Sequence, residues 1–375
     1  MGKKERLSNF ELLRILSMIA IVGHHYGLHG VINTTTNNAS TFLQGTELNR
    51  SIVSFLVANG KYPIGLFFMM TGYFLINHNK SSIKKVLLEC IYYGLLLALC
   101  AVVFMFIPYT NTLYGGKNAL LQQGIMSILT SVTNGWWFTT TYIVLILIIP
   151  LLNKAVTHLN KSGLKAMIFV FYLLMCIDFY YVGSYVNIEM GICFYLFGGY
   201  LRLYSNKLTL KRRMQYIIII IGLIVLSTFL MYHSYILNSD PKAVYSGFNR
   251  IVLANYWNYL YYPFFQPILC YFVFKVFESI HIKSRIINNI SKTVFGVYLI
   301  HDSNLLRNLI WGQIFKVSSV QFFSKNMCLY AIGTILMIFV VCSLIDSIRI
   351  LLFEKKMENA YDGICNYCSK KFVKE

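Results

Sequence analysis

Segments of about 20 predominantly apolar residues follow one another along almost the whole chain, and each is long enough to cross a bilayer as a helix. Ten are predicted, at 11–32, 51–77, 84–108, 121–151, 165–183, 186–204, 214–236, 250–274, 286–311 and 327–352. The fourth is interrupted near Gly135. Gln122, Gln123, Ser131, Thr133 and Asn134 dilute its first half, so a re-entrant piece followed by a span from Trp136 is the expectation there. The outside loops near 31–50 and 109–120 are too short to fold alone. The expected fold class is therefore all-α: a polytopic integral membrane protein of about ten transmembrane helices. Residues 1–352 form the membrane-embedded domain and 353–375 a polar cytoplasmic tail.

Composition closes the other routes. The chain is 57% hydrophobic and 13% charged, against about 25% charged in ordinary soluble proteins. Burial on folding saturates at about three quarters of the surface, so a soluble fold of 375 residues could not hide this much apolar area. Disorder is excluded for the same reason. No cleavable signal peptide is expected, because the first apolar run is long enough to span and lacks a small-residue cleavage site. No internal repeat of the transporter kind is visible. Neither a P-loop nor a dinucleotide glycine fingerprint is present, which argues against an ATP-driven pump.

The formal charge is +19, a balance usually associated with nucleic acid. Its distribution points elsewhere. With the N-terminus cytoplasmic, 24 of the 33 Lys and Arg fall in cytoplasmic segments and 8 in outside ones; the last is Arg14, inside the first helix. That bias fits the positive-inside rule. It predicts both termini in the cytoplasm of a multi-pass plasma-membrane protein, with membrane lipid and not nucleic acid as the partner. Seven of the nine cysteines sit in apolar runs, where Cys acts as a small hydrophobe. Cys365 and Cys368 form a lone C-x-x-C with no second pair to complete a zinc site. No metal is expected.

Titratable residues inside a span are costly and mark function by default. The first helix has Glu11 and Arg14 near its start, then His24, His25 and His29. Arg14 and His25 are 11 residues apart, so they share one helix face to within about 20°, at about 16 Å along the axis. Glu11 is placed to pair with Arg14. His29 follows on nearly the same face, whereas His24 points about 80° away. A cation near the cytoplasmic surface and an imidazole deep in the membrane suit an anionic cytoplasmic donor and an acceptor from outside. The same residues also admit a plainer reading, with Arg14 snorkelling to the interface and His25 packing helices.

Four motifs in order then resemble the membrane acyltransferase-3 family. Phe10-Glu11-Leu12-Leu13-Arg14, followed by ten residues and His25, resembles the family's opening helix. Phe67-Phe68-Met69-Met70-Thr71-Gly72-Tyr73 resembles its second-helix run, with Thr71 in place of Ser. Trp137-Phe138 with Tyr142 is similar to its Trp-Phe segment, and Tyr298-Leu299-Ile300-His301 to its late Tyr-Leu-x-His. Asp302-Ser303 departs from it where many members have Pro two residues after the His. Many members also carry an added extracellular esterase-like domain; none is expected here, so transfer would finish in the membrane domain or pass to a partner.

The resemblance implies an O-acyltransferase. It would move an acyl group, most simply acetyl, from cytoplasmic acyl-CoA (acetyl-CoA) to a hydroxyl of a surface polysaccharide or its lipid-linked precursor. His25 would be the general base or transient acyl carrier, with Arg14 orienting the donor or stabilising charge. Glu11, His24, Tyr73, Trp137, Tyr298 and His301 are supporting or substrate-binding candidates. His301-Asp302 is expected at the outer end of the ninth span, with the carboxylate able to orient the imidazole. Glu89, Asp178 and Glu189 are weaker candidates. The Arg212-Arg213 cluster is read as loop charge, with contact to donor phosphates as its other reading. The alternative function is export of a polysaccharide or lipid-linked glycan, with Arg14 and His25 lining the path.

Overall fold

The structure, a computed structural model, describes residues 6–32, 39–78, 82–129, 135–178, 187–239 and 260–372. Residues 131–134 and the first part of the predicted eighth span, 250–259, lie outside these. Every regular element among the described residues is helical. The first is α1 (Ser8–Gly27), extended by a π-helical turn at Leu28–Ile32. Then come α2 (Glu47–Asn59), α3 (Tyr62–Leu75), α4 (Lys84–Phe106), α5 (Lys117–Ile128) and α6 (Trp137–Thr157). These are followed by α7 (Lys161–Ile177), α8 (Ile188–Tyr204), α9 (Leu210–Ser239) and α10 (Gln266–Glu278). The last are α11 (Val294–His301), α12 (Asn304–Asn308), α13 (Met327–Arg349) and α14 (Lys355–Phe372).

Among the described residues, six stretches are long and apolar enough to cross a membrane: Ser8–Ile32, Glu47–Leu75, Lys84–Phe106, Trp137–Thr157, Leu210–Leu237 and Met327–Tyr367. The α7 and α8 helices, at 17 residues each, lie at the short end of the range that crosses a bilayer. The predicted span from Trp136 is matched by α6, which begins one residue later. The predicted ninth span, 286–311, is not one helix. It stops at His301 and restarts at Asn304, because Ser303 turns extended and its hydroxyl accepts from the Leu306 N–H at 3.3 Å.

Two apolar clusters fill the interior, and α1 belongs to both. Phe10 and Leu13 join Phe68, Met69, Ile149, Phe194 and Phe274, from α3, α6, α8 and α10. Further along, Met18, Val22 and Tyr26 join Val57, Tyr93, Val297, Ile300 and Phe339, from α2, α4, α11 and α13. The face of α1 that carries Arg14 and His25 therefore lies along the seam between two packed halves. Outside, Leu99, Leu151, Ile218, Val225 and Leu329 are each at least 60% exposed. A water-facing surface does not carry so many large apolar side chains; a lipid-facing one does.

Two glycines set the closest helix crossing. A Cβ on Gly72 would lie 1.8 Å from the Tyr195 carbonyl oxygen, and one on Gly198 would lie 2.0 Å from that of Met69. So α3 and α8 meet backbone to backbone, as small residues allow between membrane helices. The Gly of the Thr71-Gly72-Tyr73 motif is thus explained by packing.

Candidate functional site

The site is built where α1, α11 and the start of α12 converge. His301, the last residue of α11, is fully buried, and its Nδ1 lies 2.6 Å from the Val297 carbonyl oxygen one turn earlier. A carbonyl only accepts, so Nδ1 carries the proton and, in neutral His301, Nε2 holds a lone pair. That Nε2 is 2.9 Å from His25 Nδ1. His25 must then donate from Nδ1, and its own Nε2 is left as the unprotonated nitrogen. A backbone carbonyl thus sets the tautomer of His25 through His301.

Asp302 completes the cluster. Its Oδ1 lies 3.7 Å from His25 Nδ1, 3.5 Å from His29 Nε2 and 2.8 Å from Arg307 Nη2. Arg307 also donates to the Asp302 backbone oxygen at 3.1 Å. The carboxylate is buried, so its charge acts on the imidazoles with little screening by water. One ring nitrogen each of His25 and His29, with an Asp302 oxygen, lie within 4.8 Å of one another, close enough to hold a metal ion. The Arg307 guanidinium already supplies positive charge at that oxygen.

Glu11 Oε2 accepts from Arg14 Nη1 at 3.4 Å, and Arg6 approaches the other oxygen at 3.7 Å. Both arginines line a cavity of about 470 Å³ that reaches His25. Its floor is aromatic: Phe67, Trp137, Phe138, Tyr142 and Tyr298. Charged side chains line the rest of it: Arg6, Arg14, Lys85, Lys292 and Arg349, with the carboxylates Glu89, Glu354 and Glu358. The terminal helix α14 and the π-helical turn before it close part of this mouth. Lys85 pairs with Glu354 at 2.9 Å and Glu358 at 3.5 Å, and Lys84 with Asp362 at 2.6 Å. The arrangement can hold a long polyanion at its cationic end while a small reactive group reaches the imidazole. The family model of an acyltransferase domain matches residues 7–346.

The chain belongs to the acyltransferase 3 family. It is an acyltransferase built on membrane helices. No curated protein and no solved structure gives a significant match. Of the predicted site residues, the acyltransferase brings His25, Arg14, Trp137 and Tyr298 to one cavity. Glu11 and His301 stand directly behind two of them.

Two predicted supporting residues lie elsewhere. His24 turns away, as its angle on α1 requires, and its Nδ1 meets the Val57 carbonyl at 2.9 Å. Gly60 makes room for it, since a Cβ there would lie 2.1 Å from His24 Cβ. Tyr73 is not among the cavity-lining residues. Its ring packs on Phe10 and Phe274, with the Arg202 guanidinium 5.1 Å from its centroid.

His301 and Asp302 are both buried, at the end of a short helix. Asp302 does not serve mainly to orient His301; its carboxylate meets His25, His29 and Arg307. Arg307 and Arg349, both counted as loop charges, are structural parts of the protein interior or cavity wall. Arg349 pairs with Asp346 and, at 3.2 Å, with Glu89, while the Tyr93 hydroxyl donates to Asp346 at 2.7 Å. Asp302-Ser303, the point of departure from the family motif, was the one signal that could have flagged the acid.

Proposed function

We propose that this acyltransferase is an integral-membrane O-acyltransferase that moves an acyl group, most simply acetyl, from acyl-CoA to a glycan hydroxyl. The acceptor is a surface polysaccharide or its lipid-linked precursor, and the membrane is the plasma membrane, with the cationic cavity end facing the cytoplasm. One observation carries the reading: an imidazole with a free Nε2 lines a cavity that also carries five cations against three carboxylates, Glu89, Glu354 and Glu358. The phosphates of coenzyme A match those cations, and the thioester can extend past the aromatic floor to His25.

The reaction then balances on residues already in place. His25 Nε2 takes the proton of the acceptor hydroxyl as its oxygen attacks the thioester carbonyl carbon. The C–S bond breaks, the acyl group stays on the acceptor oxygen, and the imidazolium returns its proton to the leaving thiolate. Asp302 stabilises that imidazolium while His301 holds the ring in register. Arg14, held by Glu11, orients the donor. Export of a glycan gains no support from membership of an acyltransferase family.

The test compares His25→Ala with His24→Ala, assayed for transfer from labelled acetyl-CoA in membranes and normalised to protein amount. Loss of a general base costs about 10²–10⁴-fold, so His25→Ala should be inactive. His24→Ala should keep part of its activity, because His24 only packs. An active His25→Ala enzyme refutes the assignment.

A further inference from the structure

The five cations of the cavity wall are balanced by carboxylates. Glu11 lies 3.7 Å from Arg6 and 3.4 Å from Arg14. Arg349 pairs with Asp346 at 2.5 Å and Glu89 at 3.2 Å. Lys85 pairs with Glu354 at 2.9 Å and Glu358 at 3.5 Å. Lys292 donates to the neutral Asn289 side-chain oxygen at 2.9 Å. Counted as ionised, Glu11, Glu89, Asp346, Glu354 and Glu358 cancel the five cations. In this arrangement the mouth offers a polyanion no net positive charge, so the donor's phosphates gain little long-range attraction from it.

The five carboxylates are not equally fixed. Glu11, Glu89 and Asp346 are buried on α1, α4 and α13, within the residues matched by the family model. Removing a partner from the Arg349 group would leave a buried charge unpaired, which is costly. Glu354 and Glu358 lie beyond residue 346, on the π-helical turn and on α14. Asp362 follows at the same spacing of four, so the three acids form one stripe along the helix. That stripe faces the start of α4, where Asp362 meets Lys84 at 2.6 Å and the Tyr361 ring lies 5.5 Å from the same ammonium. These pairs are open to water, with the Lys85 side chain 72% exposed and that of Asp362 58%. Exposed pairs are weak and screened by salt. The two acids of the tail can therefore leave the mouth at small cost while the bundle stays packed, and their departure uncovers two positive charges.

We infer that the C-terminal helix is a self-inhibitory gate: Glu354 and Glu358 occupy Lys85 in place of an anionic ligand, and the polyanionic donor docks by displacing them. The inference rests on the acyl-transfer reading. It adds a competition at the cavity mouth between the chain's own carboxylates and the donor's phosphates. Coenzyme A brings several phosphate charges at once, and charge-assisted bonds to phosphate are strong, so the donor displaces two weakly held carboxylates. By mass action, donor concentration then sets how often the helix lies open.

The experiment uses the full-length protein purified in detergent. Limited trypsin digestion at the exposed Lys355 and Lys356 reads the helix, because a protease cuts a helix where it opens. Saturating coenzyme A should speed that cut several-fold in wild type. Asp362→Asn should speed it without coenzyme A, since Asp362 is not among the cavity-lining residues and acts there only through the helix. Binding of labelled acetyl-CoA is then compared between wild type and Glu354→Gln/Glu358→Gln. The double variant should bind about three- to tenfold more tightly, as the loss of two exposed competing pairs predicts. A cut that coenzyme A leaves unchanged or slows overturns the gate, and so does an Asp362→Asn cut at the wild-type rate. A double variant that binds acetyl-CoA no more tightly than wild type also overturns it, and weaker binding would make the two acids supports for Lys85. If wild type and double variant both bind no acetyl-CoA, the acyl-transfer reading itself falls, an outcome distinct from the others.

Discussion

At the scale of single residues, the site turns on which nitrogen of His25 is free. The Val297 carbonyl decides it through His301, so His301 acts as a positioning residue. Replacing it tests the relay directly. His301→Gln can still present an oxygen to the His25 Nδ1–H; His301→Phe cannot. The Phe variant should lose about 10²-fold or more in kcat, near the cost of losing the base itself, and Gln should recover part of that, with donor KM unchanged in both. Equal activity of Phe and wild type would remove His301 from the relay.

Arg14 gives the second residue-scale prediction. Lys snorkels as well as Arg but lacks the planar fork that grips two oxygens at once. Arg14 has 34% of its side chain exposed and contributes to the cavity wall, so it can reach a donor while Glu11 holds it. Arg14→Lys should insert and accumulate normally yet lose most transfer from labelled donor. Full activity would return Arg14 to a snorkelling role.

These residues also mark how far the sequence could be read. Arg14 and His25 lie on one helix, so helix periodicity alone places them together. His301 needed the motif, because 276 residues separate it from His25. The partners of Asp302 were not legible at all. A carboxylate and two imidazoles brought together by the breaking of a helix leave no period in the chain. Arg307 and Arg349 were hidden by a rule that is sound on average: charges flanking apolar runs belong to loops. Only the packing of α12 and α13 shows otherwise.

At the scale of elements, helix lengths were read well where the chain crosses in one piece and poorly where it breaks. The long apolar runs of α1, α4, α6, α9 and α13 appear as continuous helices. The predicted 51–77 span divides at Gly60, where α1 passes, and the predicted ninth divides at Asp302-Ser303. The first break accommodates His24 in the packing; the second serves the site by ending α11 at His301. The crossing of α3 and α8 is the element-scale test. Any side chain at Gly72 or Gly198 meets a carbonyl oxygen at 2.0 Å or less. Backbone cannot yield as a side-chain tip can, so Gly72→Leu and Gly198→Leu should exceed the usual overpacking cost of about 1–3 kcal/mol. Both should show a marked fall in thermal stability in detergent. Gly222→Ala on α9 is the control, since a Cβ there meets nothing within 4 Å. It should be neutral or stabilising, because Ala is about 1 kcal/mol better than Gly inside a helix.

At the scale of the whole molecule, the proposal requires a single orientation. The cationic mouth gathers residues from the N-terminal ends of α1 and α4 and the C-terminal end of α13. The C-terminal end of α6 joins the same side, where Asn153 donates to the Leu75 and His78 carbonyls at 2.7 Å. Asn160 and Asn206 lie just beyond, in connections that begin at this end. The loop charges count the same side as cytoplasmic, and four of the cavity's five cations, Arg6, Lys85, Lys292 and Arg349, are among the basic residues so counted. Cysteines placed at Asn37 or Asn238 should react with a membrane-impermeant thiol reagent added to intact cells. Cysteines at Asn160 or Asn206 should react only after the cells are opened. The exposed native Cys328 and Cys365 are first replaced by Ser so that neither reports in their stead. Labelling at position 160 in intact cells would invert the molecule. The five cations would then face outward, where no acyl-CoA is made, and the donor assignment would fall with the topology.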